Sequence, residues 1–305
     1  MLVTIIIPFF NSREFLDRSI RSAISQSYRP IELILVDNNS LDGTLDAIQE
    51  YENSYPNLVT VLEEKKKGAP FARTKGLTFA RGEWIQFLDS DDEISPEKIE
   101  HQLTLTSSEI DVVVGDYKEI KYKRGIRQEK IILSDNDVWK GLIRSKLGIT
   151  SSNLFRKKAL EQVGGWDVTL KSSQEYELMF RMLKSGCKFH IDREIMTTVH
   201  LGESSVSQSN DPDRWKEILS TRFQLRDSIR EYMIDAGIYT SDRSYCFDKY
   251  LYDQLWFNRY KHPNFFTNEI KRRSFRLSRT YQLSRAIKSH GRFCLEMLTA
   301  PFRNG

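Results

Sequence analysis

The sequence of 305 residues has few cysteines and no long apolar run. Its three cysteines, Cys187, Cys246 and Cys294, lie far apart and form no CxxC pair, which argues against a disulfide scaffold or a zinc site and favours a reducing compartment. No stretch reaches the roughly 18–20 apolar residues of a membrane span. The N-terminus lacks the basic region and cleavage site of a secretory signal. A cytoplasmic protein is therefore expected.

Charge is nearly balanced over the whole chain but is unevenly placed along it. The formal net charge is +4, yet residues 242–305 hold thirteen basic and five acidic residues. The part before residue 242 is mildly acidic. A nucleic-acid-binding protein would carry a basic patch on its folded surface. We therefore expect no nucleic-acid partner, and a local contact of the C-terminal fifth with something anionic.

The first 115 residues alternate short apolar runs with amphipathic stretches. Such runs are typical of strands buried on both faces of a parallel sheet. The first helix is predicted to be capped by Asn11 and Ser12 and to continue through Tyr28. This order, with its short loops, predicts an α/β fold with a doubly wound, mostly parallel sheet flanked by helices. The predicted strands are 3–9, 31–36, 58–62, 84–88 and 111–115, and the predicted helices are 12–28, 42–52, 70–80 and one beginning near Pro96.

The rest of the chain changes character twice. Residues 121–134 are polar and basic and predict a hairpin or a mobile loop. After about residue 208, strand signals give way to helical stretches rich in aromatics and arginine. We place a boundary there, between a first domain, 1–208, and a mainly α-helical region, 209–305. The remaining predicted elements are helices 138–145, 157–163, 175–184, 211–232, 245–260 and 268–297 and a strand at 188–191.

Three of the predicted strands end in segments that point to a ligand site. They are 8–11, 37–44 and Asp89-Ser90-Asp91-Asp92. Carboxylates at one edge of a sheet repel one another unless a cation or a donor-rich ligand lies between them. An Asp-x-Asp pair suits a hard divalent ion such as Mg²⁺ or Mn²⁺, with positions open to phosphate oxygens. Simpler roles are also open, because Asp92 or Ser95 could cap the next helix and residues 37–44 could form a turn.

These segments, in this order, resemble glycosyltransferase family 2, a group of inverting enzymes with the GT-A fold. The resemblance covers about residues 2–207. It implies that residues 1–208 form a nucleotide-sugar-binding and catalytic domain. It further implies metal-dependent transfer of one sugar, with a UDP-sugar as the expected donor, to a hydroxyl of a glycan or lipid-linked acceptor. The motifs that carry the resemblance further along the chain are Gly68 with Ala72-Arg73-Thr74-Lys75-Gly76, Gly164-Gly165-Trp166-Asp167 and Ser173-Gln174-Glu175.

The resemblance implies a nucleotide site at the first two strand ends. Pro8, Phe10 and Asn11 would lie against the base, with Phe10 at a position usually held by tyrosine. Asp37 would accept a hydrogen bond from the base.

The resemblance also implies residues for the ribose, the diphosphate and the metal. Asp89 would approach the ribose, and Arg73 would support the nucleotide-sugar. Asp91 would bind Mn²⁺ or Mg²⁺ on the diphosphate. Lys66 and Thr74 stand where the family often has asparagine.

Two further residues take roles from the resemblance. An inverting transfer needs one general base, which the family places at the head of a helix after the Gly-Gly-aromatic-Asp turn, here Glu175. His200, ahead of residues 205–207, matches a metal-contacting histidine of some members. Simpler roles are a helix N-terminal acid for Glu175 and a surface or packing residue for His200.

Two other functions remain open at this point. A nucleotidyltransferase also places aspartate pairs on an α/β sheet, although residues 9–12 contain no glycine where such enzymes have a phosphate loop. A catalytically silent module with the same fold would bind a nucleotide-sugar without transfer. A polymer synthase is disfavoured, because the Gln-x-x-Arg-Trp motif of processive members has Asp211 at the glutamine position before Arg214-Trp215.

The basic C-terminal stretch has two interpretations. Its predicted helix, 268–297, interleaves basic residues with aromatic and aliphatic ones, and such a helix can lie on an anionic membrane. Alternatively, its apolar side packs on the catalytic domain or on a second subunit. The expected location is the cytoplasm, with peripheral contact at the inner face of the plasma membrane and a homo-oligomer as open alternatives.

Overall fold

The computed structural model describes residues 1–123, 125–201, 212–260 and 263–287. The chain divides into two compact units, Met1–Ser205 and Val206–Gly305. The boundary predicted at residue 208 lies outside the described residues. Within the described residues, no helix is long and apolar enough to cross a membrane.

The first unit is built on two sheets. Its strands are β1 (Val3–Phe9), β2 (Ile31–Asp37), β3 (Val59–Glu63), β4 (Trp84–Phe87), β5 (Glu93–Ile94), β6 (Val112–Gly115), β7 (Tyr117–Lys123), β8 (Ile126–Ile132), β9 (Leu154–Arg156), β10 (Phe189–Asp192) and β11 (Thr197–Leu201). The larger sheet has the order β10-β6-β9-β4-β1-β2-β3, and the smaller has the order β5-β11-β7-β8. In the larger sheet β9 runs antiparallel to both its neighbours, and the other pairs are parallel.

Helices cover the larger sheet. They are α1 (Leu16–Ile24), α2 (Thr44–Ser54), α3 (Ala69–Phe79), α4 (Lys98–Thr104), α5 (Val138–Arg144), α6 (Lys157–Gln162) and α7 (Gln174–Lys184). β1 and β2 are buried along their whole length, and side chains such as Ile5, Leu33 and Ile20 share one core with α1. The predicted mostly parallel, helix-flanked sheet is therefore confirmed.

The first helix is shorter than predicted at both ends. α1 begins at Leu16 and has no side-chain cap. The predicted cap Ser12 instead shares a 2.9 Å hydrogen bond with Ser90 Oγ, so this hydroxyl joins two loops and does not start the helix. At the other end Arg29 donates to the Ile24 carbonyl over 2.9 Å. This bond satisfies one of the carbonyls left open where a helix ends.

β9 and the small sheet were not predicted. β9 has three residues, too few to show a periodic pattern. Of the two predictions for residues 121–134, the hairpin is confirmed: β7 and β8 pair antiparallel, from Tyr117 opposite Ile132 to Lys123 opposite Ile126.

The described residues of the second unit are mainly helical. It contains α8 (Pro212–Asp235), α9 (Ser241–Asn258), α10 (Pro263–Arg272) and a helical segment at 279–287. The single helix predicted over 268–297 is wrong, because residues 273–278 are not helical. The end of that prediction, 288–297, lies outside the described residues.

Ion pairs hold the chain in place on both sides of the break after α10. Arg273 donates to both carboxylate oxygens of Asp227 over 2.7 and 2.6 Å and to Glu269 over 2.7 Å. Arg285 pairs with Asp253 at 2.8 Å. These two arginines, counted in the sequence among the charges of a membrane-facing helix, instead join the helices of the second unit.

Helix α3 packs closely against β1 and β2 at Gly76. A methyl group at Gly76 would lie 2.4 Å from Ile6 Cγ2 and 3.3 Å from Val36 Cγ2, so a larger side chain would push α3 off β1. We expect Gly76→Val to lower the free energy of unfolding by about 1–3 kcal/mol in chemical denaturation. Thr78→Val, on the exposed side of the same helix, is the control. Equal stability of the two variants would contradict this packing.

Candidate active site

The loops that follow β1 and β2 are tied to each other. The Asn11 N–H donates to Ser40 Oγ over 3.0 Å, and Asn11 Oδ1 accepts from the Leu41 N–H over 2.8 Å. Asn11 therefore does not cap α1 and holds the second loop beside the first. Phe10 leaves about half of its side chain in solvent, with 49% exposed, whereas Pro8 is buried within β1.

Asp37 holds the turn at the end of β2. It is 4% exposed, and its carboxylate accepts from the N–H groups of Asn39 and Ser40, each over 3.1 Å. This is the turn role considered from the sequence. Since each carboxylate oxygen can accept more than one hydrogen bond, the contact with a base stays a prediction.

Asn38 is a structural residue that the sequence reasoning missed. Its amide donates to the carbonyls of Glu64 and Lys66 over 2.9 and 2.7 Å, and its oxygen accepts from the Gly68 N–H over 2.7 Å. One side chain thereby fixes the loop that leads from β3 into α3. The repeated asparagine at positions 38 and 39 was the available signal.

Arg73 connects three parts of the site. Its guanidinium lies 2.6 Å from Asp89 Oδ1 and donates to Gln174 Oε1 over 3.5 Å. The same group lies 4.8 Å from the centre of the Trp166 ring, and Trp166 in turn packs edge-on against Phe87. Trp166 is 3% exposed, which makes it a core residue that supports the arginine.

The acidic turn after β4 crowds three carboxylates together. Burial and then the charge of Asp89 raise the pKa of Asp91. Burial, followed by the charges of Asp89 and Asp91, raises the pKa of Asp92 well above its usual range. Neither Asp92 nor Ser95 caps α4, whose N-cap has no side-chain bond. The turn thus concentrates negative charge that a bound cation would relieve.

A divalent cation fits this turn through a single carboxylate. Mg²⁺ in phosphate sites is commonly held by one or two carboxylates together with substrate oxygens. Burial and then the charge of Asp89 raise the pKa of Asp91, and a cation bound there would oppose both effects. Among the described residues, no group of three or more His, Cys, Asp or Glu forms a ready protein cage for a metal.

His200 lies on β11 beside a different acid. Its Nε2 is 3.3 Å from Glu93 Oε1. Glu93 is also 4.0 Å from Arg18, which donates to the Asp91 carbonyl over 2.5 Å. Burial and then the Arg18 charge lower the pKa of His200. The neutral imidazole is the form that can bind a metal, and a metal contact of His200 stays a prediction.

Glu175 occupies the first turn of α7. Its Oε1 is buried and has no hydrogen-bond partner among the described residues. Burial, and next the charge of Asp89, raise the pKa of Glu175 to about 8, while Arg73 and a hydrogen bond from Thr150 oppose that rise. A carboxyl group with such a pKa can exchange a proton near neutral pH.

Ser151 joins the acidic turn to the sheets, and the sequence did not single it out. Its hydroxyl accepts from the Asp89 N–H over 3.1 Å and donates to Asp92 Oδ2 over 2.5 Å. Its carbonyl accepts from Gln86 of β4 over 2.9 Å and from Thr197 of β11 over 3.4 Å. The available signal was a run of four hydroxyl and amide side chains at 150–153 directly before an apolar strand.

This fold is that of the GT-A glycosyltransferases. S. aureus TarS 1-349 in complex with UDP-GlcNAc superposes with a TM-score of 0.65 at 18% identity, over 96% of this chain and 80% of that one. The mannosyltransferase PcManGT from Pyrobaculum calidifontis, in complex with GDP-Man and Mn²⁺, gives 0.60 at 16% identity, over 99% and 81%.

Sequence comparison identifies the family. The chain matches the model of glycosyl transferase family 2 over residues 4–164. TuaG of Bacillus subtilis, a protein named for teichuronic acid biosynthesis, is 28% identical over 82% of this chain and 94% of its own length. The glucosyltransferase WfaP of Escherichia coli is 27% identical over 72% and 86%. The chain belongs to glycosyltransferase family 2 and is a glycosyltransferase.

The hydrogen bonds of the Ser151 hydroxyl to Asp89 and Asp92, here called the Ser151 bridge, lead to a prediction for ligand binding. Ser151→Ala leaves the Asp89 N–H and the Asp92 carboxylate without this partner, so the acidic turn should lose its fixed position. Because one buried hydrogen bond to a charged group is worth about 1.5–3 kcal/mol, we expect the affinity for a nucleoside diphosphate with Mn²⁺ to fall by at least about tenfold in calorimetry.

Ser152→Ala is the matched control. Ser152 is as buried as Ser151, but its hydroxyl bonds within its own loop, to Ile149 and Asn153. If both variants lose affinity equally, the effect belongs to the loop and not to the Ser151 bridge.

Proposed function

We propose that the chain transfers one sugar from a nucleotide-sugar to a hydroxyl of a glycan or lipid-linked acceptor, with inversion at the anomeric carbon. The environment of the Glu175 carboxyl group is the observation that supports this proposal. Its Oε1 is buried without a partner among the described residues, and its pKa is raised to about 8. It lies on the helix whose first residue, Gln174, accepts a hydrogen bond from Arg73.

Glu175 is the proposed general base. It takes the proton of the acceptor hydroxyl while that oxygen attacks the anomeric carbon. The new carbon–oxygen bond forms as the bond to the diphosphate oxygen breaks, and the electron pair leaves with the nucleoside diphosphate. Arg73, oriented by Asp89, supplies fixed positive charge near the departing group.

The remaining site residues hold the donor. Asp91 is the proposed ligand of Mn²⁺ or Mg²⁺, and His200 is the second candidate ligand. A divalent ion bound with the diphosphate would neutralise charge that develops on the leaving group. The nucleoside is assigned to Pro8, Phe10, Asn11, Asp37 and Asp89.

A UDP-sugar is the proposed donor. Support comes from TarS, whose structure contains UDP-GlcNAc, and from the name of WfaP, a UDP-Glc:alpha-D-GlcNAc-diphosphoundecaprenol glucosyltransferase. That name also supports a lipid-linked acceptor. A screen of nucleotide-sugars for metal-dependent hydrolysis tests the donor directly. A cytoplasmic location and a homo-oligomer stay predictions.

The metal assignment is tested with Asp91→Ala. We expect this variant to lose the Mn²⁺-dependent part of nucleoside diphosphate binding in calorimetry, because it removes the proposed protein ligand. Asp46→Ala, which removes an exposed carboxylate from α2, should bind as the unchanged protein does. If the affinity of the unchanged protein is the same with and without Mn²⁺, the assignment is wrong.

The base assignment is tested with Glu175→Gln. The amide keeps the size of the side chain but cannot accept the proton, so donor affinity should survive while transfer falls by about 10²–10⁴-fold. Glu177→Gln is the control, because Glu177 lies in the same helical turn and pairs with Arg181 at 2.7 Å.

The pH dependence of kcat/KM distinguishes a general base at Glu175 from a carboxyl group with only a structural role. Since Glu175 accepts a proton only when ionised, kcat/KM should rise with pH and level off above about pH 8. Glu175→Gln should abolish this rise. If Glu175→Gln keeps more than a tenth of the transfer rate, another group is the base. If the unchanged protein binds the donor but transfers no sugar, it is a silent binding module.

A further inference from the structure

The β7–β8 hairpin exposes large apolar side chains. Tyr122 is 61% exposed, Ile126 67%, Ile131 60% and Leu133 55%. Single exposed apolar residues are normal on a protein surface, but three of these lie in one short hairpin and Leu133 directly follows it. β8 lies at the edge of the small sheet, and each of its residues except Ile132 is exposed. A group of exposed apolar side chains on one element is typical of an interaction surface.

The same hairpin is positively charged. Its described strands carry five basic and two acidic residues. Arg127 pairs with Glu129 and Lys130 with Glu119. The remaining basic residues form no ion pair within the described part of the chain, and they are Lys118, Lys121 and Lys123. The hairpin is therefore both apolar and cationic. Its register places Tyr122 and Ile131 on the face of Lys118, and Ile126 on the opposite face with Lys121 and Lys123, so each face carries both kinds of group.

The hairpin extends from the sheet that holds one edge of the proposed site. Residue Ile120 of β7 is paired with His200 of β11, and β11 is paired with β5, where Glu93 lies. Lys123 ends β7 three residues beyond Ile120, which corresponds to about 10 Å along an extended strand. Whatever the hairpin tip contacts is thus held near the proposed active site.

We propose that the β7–β8 hairpin rests on an anionic lipid surface, with its apolar side chains in the interface and its lysines facing lipid phosphates. This inference rests on the proposed function, because a lipid-linked acceptor would be presented at such a surface. Tyrosine and lysine are both suited to the boundary between lipid and water. The edge strand β8 carries Arg127, Glu129 and Lys130. Charged side chains along an exposed edge disfavour strand pairing with another protein chain, so a lipid surface accounts for the hairpin better than an added strand does.

Sedimentation of the full chain with vesicles tests the inference. Vesicles of phosphatidylglycerol and phosphatidylcholine should pellet the protein at low salt, and pure phosphatidylcholine should pellet much less. Lys121→Glu combined with Lys123→Glu should lower binding to the anionic vesicles at least tenfold. Tyr122→Ser combined with Ile126→Ser should lower it severalfold, because it removes the apolar contribution.

The control changes a similar surface elsewhere on the first unit. Phe79 on α3 is 51% exposed, and Lys75 Nζ lies 5.2 Å from the centre of its ring, so Lys75→Glu combined with Phe79→Ser removes the same kinds of group. This variant should bind vesicles as the unchanged protein does. The inference is overturned if the unchanged protein stays in the supernatant, or if the hairpin variants pellet fully and another segment therefore carries the binding.

The assay contains no nucleotide-sugar, so its failure is distinct from failure of the proposed function. Metal-dependent hydrolysis of a nucleotide-sugar in vesicle-free buffer reports on that function separately. We expect the hairpin variants to retain this hydrolysis and the circular dichroism spectrum of the unchanged protein.

Discussion

Crowding of negative charge at one edge of a mostly parallel sheet is the constraint on which the site depends. Parallel strands bring their carboxyl ends to the same edge, and here that edge receives Asp89, Asp91 and Asp92, with Glu175 close enough for the Asp89 charge to raise its pKa. Arg73 is the cation that contacts Asp89 directly. An acidic edge of this kind favours a ligand that brings positive charge or many hydrogen-bond donors.

The parts of the site that the sequence could predict are those that follow continuous apolar runs. β1 and β2 are buried on both faces, so their ends, and the polar residues after them, were readable from the pattern. Asn38 and Ser151 could not be found in this way, because their roles consist of bonds to backbone groups more than twenty residues distant in sequence. Ser12 shows the same limit, since a good cap residue was used for a bond between loops.

The number of basic residues in a segment does not by itself predict contact with an anionic membrane, as the second unit shows. The C-terminal excess of basic residues suggested a helix lying on a membrane, yet Arg273 and Arg285 are paired with carboxylates of α8 and α9. The hairpin has a smaller excess, but Lys121 and Lys123 face no carboxylate within the described residues. For contact with an anionic surface, unpaired charge matters more than total charge, because paired groups have already exchanged water for each other.

Ser151 adds a hydrogen-bonded link between the two sheets of the first unit, beside the chain connection from β6 into β7. The Ser151 carbonyl is bonded to β4 and to β11, and the hydroxyl of the same residue is bonded to both ends of the acidic turn. Hydrogen bonds tolerate changes of only a few tenths of an ångström before they weaken. A force that shifts the small sheet must therefore either break these bonds or carry Asp92 along with it, so that the position of the acidic turn responds to whatever presses on the outer strands.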